Sequence, residues 1–255
     1  MNRKLLSLLG SCLLISSLNV AHADEQLVFA IAQEAYPPFS YKNGHGQWSG
    51  FDPDLITALC RQLHTECSLR EMAWDGLIPA LNSKQVDVVL NSLSITSERK
   101  QVVDFTRPYL QTPALWIGER DVALQLTPDG LRGKSIGVQA STSHAAYIKA
   151  NYRQGSRIRY YNNQDDILAD LRNGRIDVML ADQISVQPML AQTDNAGLEA
   201  KGLAPPDPLF GEGIGVAVRK GNDDLRQRLN QALNALDRNG SLAGLRAKYL
   251  GVLME

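Results

Sequence analysis

Short apolar runs alternate with helical hydrophobic stripes in the first part of this chain. Residues 27–32 and 86–90 are dominated by apolar side chains and predict buried strands, whereas residues 54–63 place apolar side chains on one helical face. Between them, residues 75–81 predict a short helix capped by Asp75. The N-terminal part of the protein is therefore predicted to begin as a β-α-β series.

The same alternation restarts after Tyr109. Crossovers near residues 110–116 and 210–218 are predicted to join two lobes as a hinge, with the last helix returning to the first lobe. The pattern thus predicts a two-lobe α/β protein. The predicted elements are a strand at 135–139, a helix from about Ser143, a strand at 157–161, a helix at 164–172, a strand at 176–180, a strand at 213–219 and a helix at 223–238.

An internal repeat indicates where a ligand would bind. Residues 80–92 align without gaps on residues 170–182, and each segment consists of a helix end, a polar turn, an apolar strand and a final polar residue. Ligands of open α/β sheets lie outside the carboxyl ends of the strands, so Ser92 and Asp182 are predicted to mark the two walls of a cleft. The alternative interpretation is that any helix–turn–strand unit has this pattern.

The N-terminal residues predict export. Residues 1–23 combine two basic residues, an apolar run and an Ala-His-Ala ending, which is the pattern of a signal peptide cleaved after Ala23. Cleavage removes two of the 26 basic residues and none of the 27 acidic ones, so the mature chain carries a formal charge of −3. This charge gives no support for a nucleic-acid partner, and no later segment has the roughly 18 apolar residues of a membrane span. We expect a soluble periplasmic protein.

The cysteines fit this compartment. Cys60 and Cys67 predict a disulfide under oxidising conditions, and two independent buried thiols are the alternative. Cys12 lies inside the signal segment, where the residues before it loosely resemble a lipid-attachment box. The apolar run continues past Cys12 and a good cleavage site follows, which favours a soluble product over a lipoprotein.

Residues 91–99 carry the candidate chemistry of the first lobe. Hydroxyl groups and a fixed cation follow the strand at 86–90, and this combination suits a free amino acid. Arg99 is able to bind a carboxylate with two parallel N–H bonds, and Asp182 is able to bind an ammonium with help from the Ser94 hydroxyl. Their alternative roles are a solvated helix residue for Arg99 and a helix cap before Gln183 for Asp182.

A second anion-binding feature is predicted around Ser143. The backbone N–H groups of Ser92 and Ser143 are candidate donors to a carboxylate, because Ser143 begins a predicted helix whose N-terminus favours an anion. Thr142, just before it, is either a ligand contact or only a cap or turn residue.

An ordered series of motifs resembles the polar amino-acid-binding proteins of ABC importers, which are solute-binding proteins of family 3. Within that family, the chain is similar over nearly its whole mature length to binders of lysine, arginine, ornithine and histidine. The spacing of Cys60 and Cys67 is also similar to a disulfide in several of these relatives. The motifs are Tyr36-Pro-Pro-Phe39, Gly50-Phe-Asp-x-Asp54, Trp74-Asp-Gly-Leu-Ile-Pro79, Ser92-Leu-Ser-Ile-Thr-x-x-Arg99, Asp104-Phe-Thr-x-Pro-Tyr109, Gly133-Lys-x-Ile-Gly-Val138 and Gly215-x-Ala-Val-Arg-Lys220.

The resemblance implies the type II periplasmic binding protein fold. In that fold, each lobe is a central mixed sheet flanked by helices, and two strands form the hinge. It places lobe 1 at residues 24–112, lobe 2 at 113–209 and a return segment of lobe 1 at 210–255. The implied partners are an amino acid and an inner-membrane ABC permease, with the protein itself a monomer.

The resemblance also implies a side-chain pocket. Tyr36 and Trp74 match aromatic residues that flank the ligand's side chain, and ordinary core packing is their alternative role. The position that is acidic in binders of basic amino acids is Gln33 here, and its neighbour Glu34 would face the other way on a strand. Asn91 and His144 are further candidate polar contacts. The expected ligand is an arginine-like or other polar amino acid.

An enzyme on the same scaffold is the competing hypothesis. Cyclohexadienyl dehydratases resemble these binders, and Glu34 or His144 is the candidate general acid. A phosphate loop before Lys134 fails because Pro128 replaces the required glycine. The histidines lack metal-ligand spacing, so no metal or cofactor is expected. Arg99 and Asp182 suit a zwitterion, which favours a binding protein without catalytic residues.

Overall fold

The computed structural model describes residues 26–251, so the predicted signal peptide and its cleavage site lie outside the described residues. The elements in chain order are β1 (Leu27–Ala32), β2 (Tyr41–Lys42), β3 (Trp48–Ser49), α1 (Phe51–Leu63), β4 (Cys67–Met72), α2 (Leu77–Asn82), β5 (Val88–Val89), β6 (Val103–Phe105), β7 (Ala114–Glu119), β8 (Ser135–Gln139), α3 (Ser143–Tyr152), β9 (Arg157–Tyr161), α4 (Gln164–Arg172), β10 (Val178–Asp182), α5 (Gln183–Leu190), β11 (Leu198–Leu203), β12 (Ala217–Arg219), α6 (Asp223–Arg238) and α7 (Ser241–Leu250).

Two five-stranded sheets of mixed direction organise these elements. The first has the order β4-β1-β5-β12-β6, and the second has the order β11-β7-β10-β8-β9. In the first sheet β1 runs parallel to β4 and β5, and β12 is antiparallel to β5 and β6. In the second, β8 is parallel to β9 and β10, and β7 is antiparallel to β10 and β11. We call the sheets with their helices lobe 1 and lobe 2. The predicted mixed α/β fold is confirmed.

The C-terminal helices complete lobe 1. Helix α6 repeats apolar residues every three or four positions, and its Leu229 and Leu233 have no exposed surface. They join one core cluster with Leu55 and Leu59 of α1. Burial of each leucine side chain stabilises the folded state by roughly 1.5–3 kcal/mol, so this contact holds α6 against α1 in lobe 1.

Several predicted boundaries are corrected by the structure. Helix α1 begins at Phe51 rather than at Asp54, and the strand predicted at 176–180 lies at Val178–Asp182. Asp75 does not cap a helix, because it lies inside a 3-10 turn at Trp74–Gly76 and Gly76 precedes α2. The strands predicted at 86–90 and 213–219 shorten to β5 and β12, which are the parts of these segments that lie in the ladders of the first sheet.

The internal repeat is confirmed in three dimensions. Lys84 and Gly174 occupy equivalent turn positions and have left-handed backbone angles of φ 61° and 65°. Asp87 and Asp177, three residues further on, each accept a hydrogen bond from a backbone N–H of the adjacent strand, at 3.1 and 2.7 Å. The two units therefore share both the turn and the carboxylate that anchors the following strand.

Two crossovers join the lobes at residues 106–113 and 204–216. They pair with each other through Ile214, whose N–H donates to the Leu110 carbonyl at 2.8 Å. Gly213, at φ 112°, precedes this pair, and a Cβ atom there would lie 2.8 Å from the Leu110 carbonyl oxygen. The close approach of the two backbones requires glycine at this position. The paired residues lie within or next to the segments that the sequence predicts as a hinge, near residues 110–116 and 210–218.

The predicted disulfide between Cys60 and Cys67 is present, and it ties the last turn of α1 to the first residue of edge strand β4. Between residues 26 and 251, every helix is too short or too polar to cross a lipid bilayer.

Candidate functional site

A cavity lies between the two lobes at the carboxyl ends of β1, β5, β8 and β10. Its free volume is only about 40 Å³, because side chains of the two lobes meet across it. Ten of the predicted site residues line it. The lining residues are Ala32, Glu34, Ala35, Tyr36, Trp74, Asn91, Ser92, Ser94, Arg99, Gln139, Thr142, Ser143, His144, Gln164 and Asp182.

The segment after β5 forms the lobe 1 wall. Asn91 is buried, and its side-chain oxygen accepts the Ala32 N–H at 2.8 Å, which ties the ends of β5 and β1 together. Ser92 has a left-handed backbone at φ 48°, so the chain turns sharply as the strand ends. The Ser94 hydroxyl lies 3.3 Å from that of Ser143 on lobe 2. These groups bring a row of hydroxyls to the cleft.

Arg99 bridges the lobes with its guanidinium. Nη1 donates to the Ser94 carbonyl at 2.9 Å and Nη2 donates to the Ser141 carbonyl of lobe 2 at 3.0 Å. Its Cζ atom lies 5.6 Å from the centre of the Trp74 ring. Burial lowers the pKa of Arg99 to about 10, so the side chain remains cationic at neutral pH. A guanidinium has five N–H donors, and those not used here are available to a carboxylate.

The start of α3 forms part of the lobe 2 wall. The Thr142 hydroxyl accepts the Ala145 N–H at 3.1 Å and donates to the Gln139 carbonyl at 2.7 Å. The cap role considered for Thr142 is therefore confirmed, and its hydroxyl is already bonded on both sides. Ser143 and His144 begin the helix and are buried. Their backbone N–H groups belong to a helix N-terminus, which favours an anion.

Asp182 ends β10 and faces lobe 1. The Tyr36 hydroxyl donates to its Oδ2 at 2.5 Å, and the Thr112 hydroxyl donates to its Oδ1. Asp182 makes no side-chain cap to helix α5, so the cap alternative is wrong. Burial of Tyr36, followed by the negative charge of Asp182, raises the pKa of Tyr36, which keeps it protonated. His144 Nε2 lies 3.6 Å from Oδ1, but burial lowers the pKa of His144 and favours its neutral form.

Glu34 lies in the cavity wall, whereas Gln33 is exposed and lines an adjoining depression. As expected, only one of the two neighbours lines the cavity between the lobes. That residue is Glu34, whereas the sequence predicted Gln33. Strand β1 ends at Ala32 and the chain then bends, so strand alternation does not extend to these positions. Glu34 Oε2 accepts the Trp74 N–H at 3.1 Å.

Sequence reasoning missed three further polar residues of this region: Asp52, Gln139 and Gln164. Asp52 has no exposed surface and accepts the Ser92 hydroxyl, with distances of 3.2 and 3.0 Å to its two oxygens. Burial raises the pKa of Asp52 to about 8. Gln139 ends strand β8 as Asp182 ends β10, and that equivalence was the available signal. Gln164 is the first residue of helix α4. A polar residue is common at the start of any helix, so there was no sequence signal for it.

Comparison with known proteins decides the family. Residues 27–252 match the bacterial extracellular solute-binding proteins, family 3. The chain belongs to this family. It is 39% identical over 254 residues to an L-arginine-binding protein of Pseudomonas aeruginosa, covering 96% of each chain.

Solved structures extend the likeness to the fold. An ancestral arginine-binding protein bound to arginine has a TM-score of 0.82 and 30% identity, and the match covers 89% of this chain and 98% of that one. An ancestral amino acid-binding protein, a precursor of cyclohexadienyl dehydratase, has a TM-score of 0.76 and 28% identity over 88% and 95% of the two chains. The family resemblance noted in the sequence motifs is therefore confirmed.

Proposed function

We propose that this protein is the periplasmic substrate-binding component of an ABC importer and that it captures an arginine-like basic amino acid between its lobes. The charge of the cavity carries the proposal. One guanidinium, Arg99, and two carboxylates, Glu34 and Asp182, line it. A basic amino acid carries one carboxylate and two cationic groups. Each buried charge of such a ligand thus has an opposite partner, which burial requires.

Each charged side chain has a role in this proposal. Arg99 binds the ligand's carboxylate with two N–H bonds, aided by the N-terminus of α3. Asp182 binds the α-ammonium, which displaces the Tyr36 hydroxyl that occupies Oδ2. Glu34 pairs with the cationic end of the ligand's side chain. The rings of Tyr36 and Trp74 flank its alkyl stem.

Lobe closure connects binding to transport. Lobe 1, including helices α6 and α7, acts as one rigid unit, lobe 2 acts as the other, and the paired crossovers at residues 106–113 and 204–216 bend between them. Because contacts from both lobes are needed, the ligand binds the closed arrangement better and shifts the equilibrium toward it. An inner-membrane permease then recognises the closed monomer. Export depends on the signal at residues 1–23, which leaves Asp24 as the mature N-terminus.

We also propose that the protein is a binder and not a dehydratase. Of the two candidate general acids, Glu34 already accepts the Trp74 N–H with one oxygen, and burial lowers the pKa of His144 and favours its neutral form. Arg99 and Asp182 match the two charges of an α-amino acid, whereas prephenate has no ammonium for Asp182 to bind. Formation of phenylpyruvate from prephenate by the purified protein, above the rate in buffer, would overturn this part of the proposal.

The test is a melting experiment on mature protein that has been unfolded and refolded to remove carried-over ligand. A ligand at 1,000 times its dissociation constant stabilises the protein by about 4.1 kcal/mol, a rise in Tm of roughly 8–16 °C for a chain of this size. We expect this rise with arginine or ornithine and a smaller one with citrulline, which lacks the side-chain charge. Asp182→Asn is the matched variant and should lose most of the rise. A response to neutral amino acids alone would refute the basic ligand, and no response to any amino acid would refute the binding proposal.

A further inference from the structure

Two buried glutamines on lobe 2 form a short hydrogen-bonded chain beside the cavity. Gln139 Nε2 donates to the Asn162 backbone carbonyl at 3.0 Å, and Gln164 Nε2 donates to Gln139 Oε1 at 2.9 Å. Gln164 is 4% exposed, and its Oε1 atom has no hydrogen-bond partner among the described residues. Both glutamines line the cavity.

The direction of this chain is fixed by its first member. A backbone carbonyl only accepts, so Gln139 must turn its NH₂ group toward Asn162 and its oxygen toward Gln164. That oxygen in turn requires the NH₂ group of Gln164. Rotating either amide would set two like groups against each other. The unpaired atom at the end of the chain is therefore an oxygen, which is an acceptor.

The backbone holds this acceptor in place. Gln139 is the last residue of β8, and Gln164 is the first residue of α4. The preceding Asn163 caps α4 by accepting the Asp166 N–H at 2.8 Å. A strand end and a capped helix start thus fix the two side chains that meet at the cavity wall.

Glu34 lies on the same side of the cavity. Glu34 and Asn162 both line the depression that adjoins it, and Asn162 is the residue that anchors the glutamine chain. Glu34 supplies acceptor oxygens from lobe 1, and Gln164 supplies one from lobe 2. This side of the cavity thus offers acceptors from both lobes, which suits a group rich in N–H donors.

We propose that Gln164 Oε1 accepts a hydrogen bond from a nitrogen donor on the ligand's side chain and is a specificity-determining residue. The inference rests on the proposed function and refines it. The preferred ligand has a side chain ending in several N–H groups, such as a guanidinium, so that Glu34 and Gln164 are paired together. Side chains that end in a methyl or methylthio group leave the buried oxygen unpaired and are disfavoured.

The test compares arginine with methionine, which has a similar stem but no side-chain N–H. Gln164→Met removes the acceptor at nearly constant volume. We expect the affinity for arginine, measured by titration calorimetry, to fall about 10- to 100-fold, while the weak affinity for methionine, measured by competition, changes less than about 3-fold. Gln154→Met, an exposed glutamine on lobe 2, is the matched control and should change neither value.

The two proposals fail in different ways. If the unaltered protein does not bind arginine, the proposed function fails and this inference falls with it. If the unaltered protein binds arginine but Gln164→Met lowers both affinities by the same factor, Gln164 only shapes the cavity and the specificity role is refuted. Unchanged arginine binding in Gln164→Met refutes it as well. Urea midpoints of the variants without added ligand identify any loss that comes from unfolding.

Discussion

Replacing Asp52 with asparagine is predicted to stabilise the protein increasingly as the pH rises. Asp52 lies in the first turn of α1 without exposed surface, and burial raises its pKa to about 8 despite the hydrogen bond that Ser92 donates. The nearby Tyr36 and Tyr109 have pKa values raised by burial, and they remain neutral over the same range. Asparagine has the shape of the protonated acid, keeps an oxygen for Ser92 and cannot ionise.

The magnitude follows from proton linkage. The ordinary pKa of this carboxyl is 3.8, so from about pH 4 to about pH 8 the folded protein holds a proton that the unfolded chain has released. The free energy of unfolding therefore falls by about 1.4 kcal/mol per pH unit in this window and is constant above it. The loss reaches about 4 kcal/mol at neutral pH, a large share of the roughly 5–15 kcal/mol of a typical domain. Asp52→Asn removes this slope.

Urea unfolding of both proteins, from about pH 5 to about pH 9, measures the difference through the midpoints at equal m-values. The gap between Asp52→Asn and the unaltered protein should widen with pH and level off above about pH 8. Asp75→Asn, an exposed acid of the same lobe, is the control and should run parallel to the unaltered protein. If the urea midpoints of Asp52→Asn and of the unaltered protein ran parallel with pH, Asp52 would be ionised in the folded state and the reasoning would be refuted.

Four further substitutions test the site and the repeat. Arg99→Ala should weaken arginine binding by at least about 100-fold in calorimetry, because two charge-assisted bonds are lost, and near-normal affinity would contradict its role. Tyr36→Phe should strengthen arginine binding by up to about 10-fold, since the ligand's ammonium no longer displaces a hydroxyl from Asp182, and weaker binding would contradict this. Lys84→Gly should stabilise the protein by about 0.5–1 kcal/mol and the reciprocal Gly174→Lys should destabilise it by about 1 kcal/mol, because both turns are left-handed; urea midpoints moving in the same direction would contradict the equivalence of the turns.

The sequence predicts elements well where one helix or strand carries its own pattern. The bounds of β8, α4 and α6 agree with the predicted ones, since apolar spacing and turn residues are local signals. Strands β7 and β11 were not predicted. They pair with each other around a register shift between Ala200 and Gly202, and such pairing depends on residues distant in the chain.

The site residues also divide into those with a local sequence signal and those whose role depends on distant residues. Ser92 and Asp182 could be predicted because a repeated unit puts both at strand ends. Glu34 was placed on the wrong face because the bend after β1 interrupts strand alternation. Gln164 gives no sequence signal of its function, since its unpaired oxygen results from a bond to Gln139, 25 residues away. Asp52 resembles any acidic residue in a first helical turn, and only its complete burial distinguishes it.

The repeated unit separates scaffold from recognition in a way that matters for engineering. In each copy, the turn and the anchoring carboxylate at Asp87 or Asp177 fix the strand, and the residue that faces the cleft follows five positions later as Ser92 or Asp182. The strand's support therefore does not depend on the chemistry at its tip. A designer can exchange Asp182, the tip residue of the second copy, to suit a ligand of different charge while the turn and the carboxylate that anchor β10 stay as they are.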